Sequence, residues 1–125
     1  MLASEQLMAF VTVTNADRAR EFYRDKLGLR LMAEDSFALM FECAGAAPLR
    51  VALAKEVVPA NYTVLGWNAK NVSSTVEALK KAGITCEVFG FFKQDDVGIW
   101  TAPGGAEVAW FKDPDGNLLS VSHHS

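Results

Sequence analysis

The stretch NADRAREFYRDKLGLRL, residues 15–31, carries the signals that decide the fold. It opens on Asn15, a residue type that caps helix N-termini, and an acidic residue two positions later suits the positive end of a helix. Apolar residues then recur at helical spacing, at positions 16, 19, 22, 23 and 27, and charged residues fill the opposite face. Gly28 fits the left-handed conformation that ends many helices. The stretch therefore predicts an amphipathic helix that leads directly into a strand.

The same order of signals occurs twice along the chain. In NVSSTVEALKKAGI, residues 71–84, Asn71 follows Asn15 by 56 positions and Gly83 follows Gly28 by 55. Two copies are too few for a stacked array. The repeat instead predicts two β-α-β-β-β modules whose sheets curve around a shared cleft.

Strand patterns flank both predicted helices. Alternation and β-branched residues mark these segments, which short turns separate. The patterns are LMAFVTVT (7–14), LRLMA (29–33), FALMFEC (37–43) and LRVALA (49–54) around the first helix, and YTVLGWNA (62–69), TCEVFG (85–90), GIWTA (98–102), EVAWF (107–111) and LLSVS (118–122) around the second.

Composition narrows the class of protein. The 125 residues are half hydrophobic and 22% charged, which is typical of one globular domain. A net charge of −3 without a basic stripe argues against nucleic-acid binding. No apolar run is long enough to span a membrane, and the N-terminus lacks the features of a secretory signal. We therefore expect a cytoplasmic protein in which the isolated Cys43 and Cys86 are reduced, packed thiols.

Three stretches together resemble a known family. They are residues 15–31, residues 71–84 and VAWFKDPDGNLLSV, residues 108–121, and they resemble the vicinal-oxygen-chelate superfamily of glyoxalase I, extradiol dioxygenases and bleomycin-resistance proteins. The resemblance implies an α+β fold in which paired βαβββ modules form a cup-shaped mixed sheet with helices on its outer face. It implies one domain over residues 1–125, with modules at about 5–57 and about 61–122, and a homodimer.

The resemblance also implies a divalent metal held by His, Glu or Gln. Matched residue by residue, the ligand positions are Met8, Val64 and Ser120, with a fourth near Val51 or Ala52. A thioether, aliphatic groups and a neutral hydroxyl are poor ligands for such an ion. The sequence therefore predicts a relative that lacks the metal centre, and it predicts no other cofactor.

The other candidate metal or proton-transfer residues lie near the C-terminus. Asp113 and Asp115 do not match a calcium loop, because glycine arrives at the fourth position and the twelfth is His124. The DPDG sequence instead favours a β-turn. His123 and His124 are adjacent on a predicted strand and so point to opposite faces, which disfavours a shared ion or a catalytic relay.

Alternation along the strands predicts which side chains line the cup. By resemblance the ligand positions face inward, so their neighbours two residues away do as well. The predicted lining is mostly apolar with a few hydroxyl and amide groups, which suits an uncharged or aromatic small molecule. The predicted ligand-binding residues are Met8, Phe10, Thr12, Tyr62, Val64, Asn68, Trp100 and Ser120.

The segment FFKQDDVGIW, residues 91–100, is the least regular part of the sequence. It fits a solvated loop, or alternatively a rim in which Asp95 or Asp96 acts as a general base or binds a cation beside Trp100. The principal functional prediction is a metal-independent, homodimeric small-molecule-binding protein. One alternative is an enzyme, either a metal-dependent lyase, isomerase or dioxygenase with unfamiliar ligands or an acid–base catalyst using Asp95 or Asp96. Another is an interaction or regulatory domain that kept the fold and lost the pocket.

Overall fold

The computed structural model describes residues 1–124 and divides the chain into two compact units. The first unit is Met1–Val58, and the second begins at Pro59. No helix in the described range combines the length and the apolar character needed to cross a bilayer.

The first unit contains one helical segment and a four-stranded mixed sheet. The strand order is β1-β4-β3-β2, with β1 parallel to β4 and the other pairs antiparallel. The predicted βαβββ order is therefore confirmed. The elements are β1 (Ala9–Val13), α1 (Ala16–Ala19) continued by a π-helix (Arg20–Lys26), β2 (Arg30–Glu34), β3 (Ala38–Cys43) and β4 (Ala47–Leu53), with short 3-10 turns at Leu2–Ser4 and Ala44–Ala46.

The helical segment begins and ends at the predicted residues. The Asn15 side chain accepts a hydrogen bond from the Arg18 backbone N–H at 2.9 Å, and Gly28 has a φ of 76°. Between these ends the helix widens to π geometry, which the periodicity did not predict. Phe22 and Tyr23 are neighbours in sequence, yet both are buried with rings 5.0 Å apart. Both residues lie in the π-helical stretch, whose wider turn changes the spacing of side chains from that of an α-helix.

The second unit repeats this plan. Its strand order is β5-β8-β7-β6, with β5 parallel to β8. The Asn71 side chain accepts from the Ser74 backbone N–H at 2.9 Å, so the second predicted cap is also confirmed. The elements are β5 (Leu65–Asn68), α2 (Val72–Lys81), β6 (Trp100–Thr101), β7 (Glu107–Lys112) and β8 (Leu118–His123).

One predicted strand is absent, because residues 85–90 belong to no strand. One backbone hydrogen bond joins this segment to β7: the Glu87 N–H donates to the Trp110 carbonyl at 2.8 Å. The Gln94 side chain bonds to two more backbone groups of the segment and to one beyond it: Oε1 accepts from the Phe89 N–H at 2.6 Å, and Nε2 donates to the carbonyls of Glu87 and Gly98 at 2.9 and 2.7 Å. A side-chain amide thus replaces the strand partner that the pattern led us to expect.

The DPDG segment forms the predicted β-turn. The Gly116 N–H donates to the Asp113 carbonyl at 2.9 Å, and the Asp113 Oδ1 accepts from the backbone N–H groups of Asp115 and Asn117. The Asn117 side-chain amide donates to the Asp113 Oδ2 at 2.8 Å. The buried Asp113 carboxylate therefore organises the turn before β8.

Candidate functional site

One face of the first sheet packs under the helical segment, and the other does not. Val11 and Val13 are buried on the helix side, where the Tyr23 ring lies 6.0 Å from that of Phe41. Side chains alternate along a strand, and directly paired residues share a face. The opposite side, here called the helix-free face, therefore carries Phe10, Thr12, Met40, Arg50 and Ala52.

The second sheet presents a corresponding surface, which we call the aromatic face. Ser120 of β8 pairs with Gly66 on one side and with Trp110 on the other, so all three share this face. The same alternation adds the paired Asn68 and Ser122, together with Trp100, which pairs with Val108. Ala109 and Phe111 point the other way and are buried.

Five rings gather at the aromatic face. Phe92 stacks on Trp110 with ring centroids 5.2 Å apart and an interplanar angle of 4°, and it lies 4.8 Å from Trp100. Phe89 meets Trp110 edge-on at 5.5 Å, and Phe91 is 4.6 Å from Phe92. The loop before β6 thus places its rings against tryptophans of β6 and β7. Four of these rings are half-buried, and Phe91 is 78% exposed.

Polar groups lie beside these rings. The Trp110 indole N–H donates to the Thr63 hydroxyl at 3.1 Å. Ser120 is 8% exposed, and its Oγ would lie 2.8 Å from a Cβ built on Gly66. The absence of a side chain at residue 66 therefore makes room for the Ser120 hydroxyl. Asn68 is exposed at the end of β5.

The structure distributes the predicted ligand-binding residues over both sheets. Phe10 and Thr12 lie exposed on the helix-free face, and Met8 directly precedes β1. In the second unit Asn68, Trp100 and Ser120 share the aromatic face, while the exposed Tyr62 and Val64 precede β5.

The sequence argument left out two residues central to the aromatic face, Trp110 and Phe92. Strand alternation could have found Trp110, since it lies between the buried Ala109 and Phe111. Phe92 lies in a loop, where no periodicity indicates which ring faces the sheet.

Strand register changes the fourth position that the resemblance implied for a metal ligand. Ser120 pairs with Gly66, the residue two after Val64, and Arg50 pairs with Phe10, the residue two after Met8. The repeat therefore equates Ser120 with Arg50 rather than with Val51 or Ala52. Val51 is fully buried on the helix side.

The residues at these positions do not fit a divalent cation. Met8, Val64 and Ser120 offer a thioether, no donor and a neutral hydroxyl, and the guanidinium of Arg50 would repel a cation. Among residues 1–124, no three or more His, Cys, Asp or Glu side chains are grouped so that they could hold a metal ion.

Asp95 is occupied as a turn residue. Its Oδ1 accepts from the backbone N–H groups of Val97 and Ile99 at 3.0 and 2.8 Å, and its carbonyl accepts from Gly98. Asp95 and Trp100 border one shallow depression of about 360 Å³.

Asp96 lies on a different cavity. That cavity of about 150 Å³ is also lined by Lys80 and Cys86, and burial raises the pKa of the Cys86 thiol. The two candidate bases therefore border separate depressions.

The terminal histidines make local contacts. The His123 Nδ1 is 2.8 Å from the carbonyl of Ala69 and must donate to it, since a carbonyl oxygen only accepts. The His124 Nε2 is 3.0 Å from the Ser122 hydroxyl. Both rings are thus engaged close to the end of β8.

Comparison with known proteins identifies the family. Residues 6–121 match the family described as the Glyoxalase/Bleomycin resistance protein/Dioxygenase superfamily. No curated protein matches the chain.

Solved structures show the same fold. A glyoxalase family protein from Enterococcus faecalis aligns with a TM-score of 0.75 at 20% identity, covering 98% of this chain and 100% of that one. A lactoylglutathione lyase from Agrobacterium tumefaciens aligns with a TM-score of 0.73 at 19% identity, covering 95% and 93%. A glyoxalase/bleomycin resistance protein/dioxygenase from Alicyclobacillus acidocaldarius gives 0.70 at 18%, covering 97% and 92%.

Proposed function

The chain belongs to the Glyoxalase/Bleomycin resistance protein/Dioxygenase superfamily, and from this premise we propose that it binds a small apolar or aromatic molecule. The principal contact is the aromatic face of the second sheet. We further propose that the protein is cytoplasmic and homodimeric, and that it binds its ligand without a metal ion.

The observation that carries the proposal is the pair of tryptophans beside Phe92. Trp100 and Trp110 have ring centroids 6.2 Å apart, and Phe92 lies close to both. Planar molecules gain roughly 0.5–1.5 kcal/mol from each good ring contact beyond the burial of apolar area. A ligand ring would replace or extend the contact that Phe92 now makes.

The polar groups on the same face would orient such a ligand. Ser120 and Asn68 offer a hydroxyl and an amide beside an otherwise apolar surface. A few such groups within an apolar lining are typical of small-molecule sites.

The test uses the three tryptophans as separate reporters. A panel of neutral bicyclic aromatics, beginning with 2-naphthamide, is titrated into ¹⁵N-labelled protein while the indole N–H resonances are followed. We expect the Trp100 and Trp110 signals to shift saturably. Trp67 should not move, because it stacks on Phe111 on the opposite side of the sheet.

Substitution should confirm the location. Trp100→Leu should weaken binding about three- to tenfold, the equivalent of one lost ring contact. Phe37→Leu is the control, since Phe37 is an exposed ring of the first unit outside the proposed site. Lack of any shift across the panel, or equal weakening by both variants, would contradict the proposal.

A further inference from the structure

Arg50 occupies the middle of the helix-free face of the first sheet. It lies in β4 between Phe10 of β1 and Met40 of β3, which are its direct partners in the ladder. Arg50 is half-buried, whereas Phe10 is 57% exposed. The Arg50 guanidinium thus lies between an aromatic ring and a thioether, on a face that also carries the ion pair of Arg30 and Glu42.

Other arginines of this unit have carboxylate partners. Arg20 pairs with both Asp17 and Glu34, and Arg24 pairs with Asp25. These contacts compensate each guanidinium charge in the ordinary way.

Arg50 has no such partner among residues 1–124. Its only hydrogen-bond contact is from Nη1 to the Met40 Sδ at 3.7 Å, and sulfur is a weak acceptor. Two carboxylates lie on nearby strands or turns, and both are engaged elsewhere. Glu42 pairs with Arg30 at 3.8 Å, and Asp35 accepts from the backbone N–H groups of Phe37 and Ala38.

Asp35 nevertheless experiences the charge of Arg50. The two backbone hydrogen bonds lower the pKa of Asp35, and the positive charge of Arg50 lowers it further. No ion pair joins these two residues in the described structure. Arg50 is therefore a half-buried cation without a carboxylate partner among the described residues, and a bound anion would supply one.

The geometry favours a planar anion attached to a ring. A guanidinium donates two parallel hydrogen bonds to a carboxylate, and the adjacent Phe10 presents an exposed ring for stacking. The internal repeat adds a second argument, because Arg50 holds in the first sheet the register position that Ser120 holds in the second. A cation at that position selects negative charge.

We propose that Arg50 is the anchor of an anion-binding subsite that takes the carboxylate of a small aromatic acid on the helix-free face of the first sheet. The subsite belongs to the first sheet, and it adds charge selectivity to the proposed function, whose principal contact belongs to the second sheet.

The test compares benzoate with benzamide, which share a ring and differ in charge. Each is titrated into ¹⁵N-labelled protein while the Arg50 Nε–H and Phe10 amide resonances are followed. Benzoate should shift both signals saturably and bind at least about tenfold more tightly than benzamide, as expected for a charge-assisted bidentate contact. Arg50→Gln should remove this preference, and Arg50→Lys should retain only part of it because lysine lacks the planar fork.

Arg24→Gln is the matched control, since Arg24 lies on the helix and pairs with Asp25. It should leave the benzoate affinity unchanged. If circular dichroism shows that Arg50→Gln does not fold, the preference for benzoate over benzamide is compared between Arg50→Lys and wild type instead. Equal affinity for benzoate and benzamide, equal losses in Arg24→Gln and Arg50→Gln, or shifts that follow protein concentration alone would overturn the proposal.

The result is separable from the proposed function. Titration with 2-naphthamide reads the indole signals of Trp100 and Trp110, whereas benzoate reads Arg50 and Phe10. Loss of one set of shifts with retention of the other identifies which proposal has failed.

Discussion

At the scale of single residues, Gly66 and Ser120 are fitted to one another across adjacent parallel strands. A Cβ at residue 66 would lie 2.8 Å from the Ser120 Oγ, closer than side-chain carbons normally approach. We expect Gly66→Ala to destabilise the protein by roughly 1–3 kcal/mol, as overpacking generally does. Urea denaturation monitored by circular dichroism measures the change.

A double mutant isolates that contact. Removing the hydroxyl leaves the Ser120 carbonyl, at 3.4 Å, as the nearest atom to the added Cβ. Gly66→Ala combined with Ser120→Ala should therefore recover most of the lost stability. Gly104→Ala is the control, because a Cβ there meets no atom within 4 Å. Additive effects of the two substitutions would show that the hydroxyl is not the obstacle.

Asp95 provides the second prediction at this scale. Because its carboxylate holds the amides of Val97 and Ile99, Asp95→Ala should reduce the free energy of unfolding by roughly 1–3 kcal/mol. Asp95→Asn keeps an acceptor oxygen and should lose less. Asp96→Ala should change stability by less than about 0.5 kcal/mol, since that side chain is exposed. A variant Asp95→Ala that kept full stability but lost ligand binding would instead support a functional carboxylate.

At the scale of elements, the sequence predicted what local chemistry determines. Residue type alone predicts the helix caps at Asn15 and Asn71 and the left-handed conformation of Gly28, and all three predictions are confirmed. The sequence did not predict the widening of the first helix to π geometry, within which Phe22 and Tyr23 are both buried. Periodicity records the average spacing of apolar residues and not a local change of pitch.

The strand predicted at residues 85–90 is absent, and the Gln94 side chain bonds to backbone groups of this segment instead. This arrangement yields a prediction for Gln94. Gln94→Glu keeps an acceptor for the Phe89 N–H but places a carboxylate against the carbonyls of Glu87 and Gly98. We expect a loss of roughly 1–3 kcal/mol and faster hydrogen exchange at the Phe89 amide. Lys93→Ala, at an exposed neighbour, is the control. Unchanged exchange at Phe89 would mean that another contact holds the segment.

At the scale of the whole molecule, the repeat of asparagine and glycine signals predicted two units with the same strand order, and both sheets have it. The sequence did not predict which residue of β4 corresponds to Ser120. That correspondence depends on pairing between strands far apart in the chain, which places Arg50 opposite Phe10. Alternation within one strand gives the two faces but cannot align two strands with each other. The sequence therefore predicts which residue types line each strand at the candidate site, but it does not predict how those residues align between strands.

The last prediction concerns metal removal. Met8, Val64 and Ser120 stand at positions implied for a metal, and Arg50 is the β4 equivalent of Ser120. Together these residues provide no anionic or imidazole ligand. A ligand that binds only the native state must raise the melting temperature, so a chelator that strips a structural metal must lower it. We expect EDTA to leave the melting temperature and 2-naphthamide binding unchanged, and elemental analysis of untagged protein to find far less than one Zn, Ni, Fe or Mn per chain. The double variant Ser120→Glu/Arg50→Ala is compared with wild type for metal content, because it adds a carboxylate ligand and removes the positive charge of Arg50. One metal ion per chain in the wild-type protein would contradict this prediction, and residues other than these four would then have to hold the ion.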